Sequence, residues 1–306
     1  MTLHQLRILL AVAEMRSIRA VADHLHVSQP AVSAAVASLE RELKVALLRP
    51  HGRGIQLTLA GETLAASVRD GLKAIDSGIR MARSIDDPGS GSLRFASIAT
   101  AAEQVLLPLL GEFRRDHPGA HVTVQVGNRA MVWRQLADLA VDLVVAGRPP
   151  EAAGGRILGR APNRLVVVGS ASMPVARRDI AVQLARTTWL LREEGSGTRE
   201  ATDELLEQLG IDPPRMILGS NGAVLEAVAA GFGVALLASA SLSAAHLARG
   251  VIELPCPGTP LQRPWHLVAS SDVDLSPTVR LAARLLLSHG RGFRPTAEAA
   301  GLLQPS

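Results

Sequence analysis

The feature that most constrains this chain is a change of hydrophobic period near residue 90. Before it, apolar residues recur at helical spacing; after it, short apolar runs alternate with amphipathic segments. From Leu93, "LRFAS" is followed by a helix expected over residues 101–115, "HVTVQV" by a helix over 130–139, and "VDLVVAG" closes the unit. Such alternation implies a parallel sheet with helices on its faces. A second unit reads "RLVVVG", "TTWLLR", a helix over 196–209, "RMILG", a helix over 223–230 and "GVALLA". "WHLVAS" and a helix over 277–288 come late enough to return to the first unit. Two α/β lobes joined by crossing strands are therefore expected, with a cleft between them. The tail from Gly290 is expected to be disordered.

The first sixty residues predict short helices. Leu3, Leu6, Leu10 and Ala13 share one face; Ser17 can cap a second helix carrying Ile18, Val21, Ala22 and Leu25. After a break at "HVS", Ser28 can cap a third, with Gln29 and Pro30 in its first turn, where a missing N–H does no harm. Val32, Val36, Leu39, Leu43 and Leu47 form its apolar stripe, and Gln29, Ser33 and Ala37 its small or polar outer face. Two helices joined by a short turn, the second with a clean outward face, are a helix-turn-helix pattern. "RPHGRGIQLT" permits a small hairpin, a wing. Thr58 then caps a long helix to about Asp86, in which Val68, Leu72, Ile75, Ile79 and Ala82 step by 4, 3, 4 and 3. That spacing suits a two-stranded seam between copies of the chain. "DDPGSGS" follows as a flexible hinge.

Charge sharpens this reading. In residues 1–60 seven basic side chains face four acidic ones, so most of the net charge of +4 sits in the helical segment. With no Tyr, four Phe and three Trp, stacking on single strands is disfavoured and duplex DNA stays open. A third helix entering the major groove would aim Gln29 at adenine, Ser33 at a base edge and the Ala31 methyl at thymine. Arg7, Arg16, Arg19 and Arg53 would reach phosphate, adding affinity rather than sequence choice. The alternative is an ordinary solvated helical subdomain.

Several classes lack support. There is no nucleophile elbow, Walker loop, complete dinucleotide fingerprint or zinc-protease pair, so no catalytic residue and no cofactor is nominated. The nine histidines are scattered and the single Cys256 excludes an intramolecular disulfide. The uncharged run from Ala227 to Ala245 is broken by Gly231 and Gly233, which argues against a membrane span, and no signal pattern begins the chain. A cytoplasmic protein is expected.

"REEGSGTRE", Arg192 to Glu200, lies after a strand and before a helix. The backbone N–H groups of Gly195, Ser196, Gly197 and Thr198, with the two hydroxyls, would favour an anion. Thr100, beside Ala101, offers the same device in the other lobe. The competing reading is that Ser196 and Thr198 only cap the helix. Glu193 and Glu194 sit awkwardly beside an anion unless they pair with Arg148 or Arg199 or accept from ligand hydroxyls.

"AVADHLHVSQPAVSAAVASLERELKVALL" followed by "GRGIQLTLAG" closely resembles the winged helix-turn-helix of LysR-type transcriptional regulators, a likeness that extends to about residue 290. It implies a homodimer or homotetramer on double-stranded operator DNA and a two-lobed effector domain like periplasmic binding proteins. It places Ser28, Gln29, Pro30, Ser33 and Arg53 at positions that commonly meet DNA, in a helix-turn-helix of about residues 18–37. Pro50 stands where the family often has Arg, with Arg49 one position earlier, and Val45 where Gly is common. "GNR" at 127–129, "DLVVAGRPP" and "LREEGSGTR" resemble regulators of carbon-fixation operons and of sulfur assimilation, whose effectors are small anions or nucleotides. The effector set is accordingly Thr100, Ala101, Asn128, Arg148, Glu194, Gly195, Ser196, Gly197, Thr198 and Ser220. The expected division is 1–58 DNA-binding, 59–90 linker and dimerisation helix, 91–290 effector-binding and 291–306 tail. Alternatives are a solute-binding or sensory protein with an N-terminal interaction module, and a phosphate-handling α/β enzyme.

Overall fold

A computed structural model of the chain describes residues 1–52, 54–173, 180–288, 292–299 and 301. It divides into two compact units, residues 1–79 and 80–306.

The first unit holds α1 (Leu3–Met15), α2 (Ile18–Leu25), α3 (Gln29–Leu43), a hairpin of β1 (Leu48–His51) and β2 (Gly54–Leu57), and most of α4 (Leu59–Ser84). Its helix starts are set locally. Ser17 Oγ accepts from Ala20 N–H at 3.2 Å and Ser28 Oγ from Ala31 N–H at 3.3 Å. Each cap satisfies a donor that the helix leaves open. Arg16, His26 and Lys44 end their helices in the left-handed region. The wing is tied to α3 by Glu40, whose carboxylate accepts from Leu47 N–H at 2.8 Å and Leu48 N–H at 3.1 Å. Thr58 caps α4, accepting from Gly61 N–H at 3.0 Å. Gly61 is required there, since a Cβ would lie 2.2 Å from the Leu47 carbonyl oxygen.

The core of this unit corrects the expected face of α1. Ile8, Leu9, Ala11 and Val12 are buried, while Leu3 is exposed and Leu6, Leu10 and Ala13 only partly covered. The helix is apolar over most of its surface, so its own period leaves the buried side undecided, and packing on α2 and α3 chooses it. Val21, Ala22, Val32 and Val36 complete the cluster. On α4, Val68 is buried but Ile75 and Ile79 are each 45% exposed, which leaves the lower part of the apolar stripe uncovered.

The second unit contains β3 (Ser92–Ile98), α5 (Ala99–Ala101) running through a π-helical turn at Ala102–Leu106 into α6 (Leu107–Asp116), β4 (His121–Gly127), α7 (Arg129–Ala137), β5 (Leu143–Ala146) and β6 (Gly155–Ala161). Then follow β7 (Arg164–Ser170), α8 (Ile180–Arg186), β8 (Trp189–Arg192), α9 (Gly197–Leu209), β9 (Arg215–Leu218), α10 (Asn221–Ala229), β10 (Ala235–Ala238), α11 (Ala244–Ala248), β11 (Val251–Glu253) and β12 (Leu261–Gln262). The last elements are β13 (Trp265–Ser270), α12 (Pro277–Ser288) and β14 (Arg294–Pro295).

The first lobe is a six-stranded sheet ordered β14-β6-β13-β5-β3-β4. Strands β4, β3 and β5 are parallel, and β13 returns antiparallel between β5 and β6. Alternate residues feed two cores: Leu143, Val145, Trp265 and Leu267 pack toward α6 and α12, and Val144, Ala146 and Val268 toward α7. The second lobe is mixed rather than wholly parallel as expected. Strands β8 and β9 are parallel, but β7 pairs antiparallel with β10, β11 and β12. A strand that enters from the other lobe arrives without a crossover helix, so nothing forces it parallel. The two crossings are pinned to each other: Arg263 N–H donates to the Asn163 carbonyl at 2.9 Å, and the Asn163 amide to the Arg263 carbonyl at 2.9 Å.

Two further expectations are corrected. Residues 292–299 are packed, not disordered: β14 pairs with β6, Phe293 is 2% exposed, and Glu298 accepts from Ile157 N–H at 2.8 Å. The open edge of β6 supplies the partners. The "DDPGSGS" hinge is bonded into place, with Gly89 N–H on Asp87 Oδ1 at 3.0 Å, and a Cβ on Gly91 would meet Thr278 Oγ1 at 2.0 Å.

Candidate functional site

Two surfaces carry the candidate residues. On the first unit, Ser28, Gln29, Pro30, Ala31 and Ser33 are all exposed at the start of α3, as is Ala37 one turn on. The burial of Val32, Val36 and Leu39 on the opposite side fixes that face outward. Arg16 and Arg19 are exposed, and neither has an ion-pair partner among the described residues. Arg49 donates to Gln56 Oε1 at 3.2 Å across the hairpin. Arg53 lies outside the described residues.

The second surface is a cleft of about 570 Å³ between the lobes of the second unit. Of the expected residues, Thr100, Asn128, Arg148, Ser196, Gly197 and Thr198 line it. The others do not. Ala101 is fully buried in the core beneath β3, because the first turn of α5 directs it away from the opening. Glu194 is exposed outside the lining. Gly195, at φ +80°, forms the turn before α9 and its carbonyl accepts from Ala130 N–H at 3.4 Å. Ser220 is committed to capping α10, accepting from Ala223 N–H at 3.1 Å.

Ser196 bears on the two readings of "REEGSGTRE". It occupies the N-cap of α9 yet makes no side-chain capping hydrogen bond, and the residue is only 7% exposed. Among the described residues the N–H groups of Gly197, Thr198 and Arg199 have no acceptor either. The start of α9 thus leaves three donors open, two of them on the cleft-lining Gly197 and Thr198, beside an uncommitted hydroxyl, an arrangement that favours negative charge. Glu193 is accounted for: Arg192 holds its carboxylate at 2.8 and 2.9 Å, which keeps its pKa below the ordinary value despite partial burial. The acid is neutralised by its neighbour rather than aimed at the cleft.

The cleft also gathers side chains that sequence reasoning missed, above all arginines. Arg129 is paired with Glu200 at 3.3 Å and donates to the Arg148 carbonyl at 3.2 Å. Arg192 also bonds Asn221, and Arg263 is paired with Glu204. Arg148 and Arg160 have no partner for their guanidinium groups among the described residues. Between them lies His266, 5% exposed, with Nδ1 enclosed and unpartnered. Burial, then the nearby Arg160 and Arg148, push its pKa below the ordinary histidine value, against a hydrogen bond with Pro264. Arg160 was missed because "GRILGRA" was not read as a strand, and His266 because its strand was read only as core. Register alone brings them together.

No group of three or more His, Cys, Asp or Glu side chains among the described residues is placed to hold a metal ion. Cys256 is buried and its thiol is pushed up to about 11 by desolvation, which makes it unreactive. No helix among the described residues is long and apolar enough to cross a membrane.

Comparison with known proteins gives these surfaces a context. Residues 3–62 match the bacterial regulatory helix-turn-helix protein, lysR family, and residues 86–291 the LysR substrate binding domain. A RuBisCO operon transcriptional regulator from Acidithiobacillus ferrooxidans is 36% identical over 91% of each chain. The HTH-type transcriptional regulator CbbR of Rhodospirillum rubrum is 32% identical over 94% of this chain and 97% of its own. Among solved structures, the CcmR regulatory domain of Synechocystis PCC6803 in complex with 2-PG is 29% identical, with TM-score 0.57 over 62% of this chain and 92% of that one. Full-length CbnR complexed with its target DNA shares the fold at TM-score 0.60 and 22% identity, covering 92% of this chain and 97% of that one. The helix-turn-helix with its exposed third helix and the two-lobed α/β domain that follows it in the sequence are those of one family: the chain belongs to the LysR family of DNA-binding bacterial transcriptional regulators.

Proposed function

We propose that this regulator binds operator DNA through the outer face of α3 and is controlled by a small anionic metabolite held in the cleft. The observation that carries the second half is Ser196, a nine-tenths-buried hydroxyl at a helix start that leaves its own helix uncapped and faces the opening. Thr100, Asn128, Gly197 and Thr198 complete that pole, and Arg148 and Arg160, unpaired among the described residues, supply positive charge. CcmR was solved with 2-phosphoglycolate, which makes small phosphorylated acids the first class to try. The carbon-fixation names of the relatives point to target genes of the same kind. The exposed Ile75 and Ile79 of α4 suit a seam between copies, consistent with a homodimer or homotetramer working in the cytoplasm. The ligand acts only through different affinity for two arrangements of the lobes.

A thermal-shift panel of sulfate, phosphate, 2-phosphoglycolate and sugar phosphates tests the cleft. Stabilisation by at least one is expected, and by less in a Thr100→Ala, Ser196→Ala double variant. No response in the wild type, or an undiminished one in the double variant, overturns the assignment.

A further inference from the structure

The cleft has a second pole, opposite in character to the start of α9. Strands β6, β13 and β5 lie side by side, and His266 on β13 pairs with Arg160 on β6 and with Ala146 at the end of β5. Directly opposed residues project from the same face of a sheet, and so does the residue two positions on. The register therefore sets Arg160 and His266 side by side, on the face that α7 covers farther along through Val132 and Leu136, and Arg148 follows just beyond the end of β5, close enough to act electrostatically on His266. All three line the opening.

These residues set two cations, without carboxylate partners among the described residues, around an enclosed imidazole whose Nδ1 has no partner there either. The remaining charged groups facing this space are engaged: Arg129 with Glu200, Arg192 with Glu193, and Arg263 with Glu204. Glu200 is the only carboxylate in the lining among the described residues, and Arg129 occupies it. Arg148 and Arg160 are exposed and have no carboxylate partner among the described residues, so in the free protein water solvates them, and a ligand anion entering the cleft is the group that would pair with them.

Resting on the cleft reading above, we propose that Arg148, Arg160 and His266 form a distinct oxyanion subsite, and that His266 takes up a proton when the anion enters. The balance is simple: one proton passes from solvent to the free imidazole nitrogen, and the complex gains one positive charge against the incoming negative charge. In the free protein, burial and the two arginines disfavour the imidazolium and lower the pKa of the ring. An oxyanion between the arginines cancels their repulsion and favours the imidazolium. The sign follows. A group protonated more readily in the complex makes binding tighter as pH falls, from the histidine pKa of the complex down to that of the free protein. Each unit between those two values changes affinity about tenfold.

Calorimetric titration of the full-length protein with sulfate, which does not itself titrate between about pH 5.5 and 8, reads this directly in buffers of different ionisation enthalpy. Wild-type protein should take up a fraction of a proton per sulfate near neutrality and bind more tightly at the acid end. His266→Gln should bind with no such uptake and little pH dependence. Ring-resonance NMR of His266 in the wild type gives a reading independent of that variant: its titration midpoint should move up on saturation with sulfate. Sulfate binding without proton uptake, an unmoved midpoint, or the same pH dependence in His266→Gln overturns the proposal and leaves the anion cleft standing. If neither sulfate nor phosphate binds at any pH, the cleft reading itself falls and takes the subsite with it.

Discussion

The outer face of α3 and the cleft of the second unit are both polar surfaces built on helix starts, yet they are made in opposite ways. The α3 face is contiguous in sequence: Ser28 to Ala37 supplies every residue, and a buried stripe on the other side orients it. The cleft draws on Thr100, Asn128, Arg148, Arg160, Ser196 and His266, residues spread over more than half the chain. Two serines make the contrast concrete. Ser28 caps its own helix at 3.3 Å, whereas Ser196 occupies the same position on α9 and caps nothing. A hydroxyl committed to its backbone serves stability; one left uncommitted while buried is available to a ligand. Similar local chemistry thus takes a role that only the surroundings assign.

The comparison can be broken at several points. The largest effect is expected from Arg148→Ala combined with Arg160→Ala. Losing two charge-assisted contacts, each worth roughly 1.5–3 kcal/mol before solvent screening, should abolish anion-dependent thermal stabilisation and leave DNA binding without ligand intact. Parallel loss of DNA binding in the ligand-free state would show that the two surfaces are not separable in this way. Next in size, Gln29→Ala should lose about 1–3 kcal/mol of discrimination between operator and a site with the contacted adenine replaced, measured by competition binding. Arg53→Ala should instead weaken all duplexes alike and flatten the salt dependence. Equal, small effects of both substitutions would remove the α3 face from base recognition.

A smaller and sharper test uses the two serines. Ser28→Ala should cost about 1 kcal/mol in chemical denaturation of the first unit, the ordinary penalty for a lost N-cap. Ser196→Ala should leave ligand-free stability within about 0.5 kcal/mol of wild type, because no cap is lost, while lowering anion affinity. If Ser196→Ala destabilises as much as Ser28→Ala does, Ser196 is a capping residue after all.

How much was legible follows the same division. The helix-turn-helix, the wing and the long helix after Thr58 were readable because caps, turns and stripes act within about four residues of each other. The βαβ unit from β3 to β5 was readable for the same reason. The buried face of α1 was not, since a helix apolar over most of its surface carries only a weak directional signal. Strand β6 was overlooked because its apolar pair is flanked by Gly and Arg, and with it went Arg160, the partner of His266. The ordered segment around Phe293 was hidden in a Gly-rich tail whose partner is the edge of β6, more than a hundred residues earlier.

By itself, then, the sequence determined the local devices: which residue caps which helix, which face of α3 is polar, where glycine must turn the chain before α9. The tertiary structure alone decided that Arg148, Arg160 and His266 line one cleft, that Ser196 lines it without capping its helix, and that Glu193 is spent on Arg192. The physical reason is range. Capping and periodicity are fixed by bonds a few residues apart, whereas the charge balance of a cleft is a sum over side chains that only strand register and the two crossings bring within reach of one another.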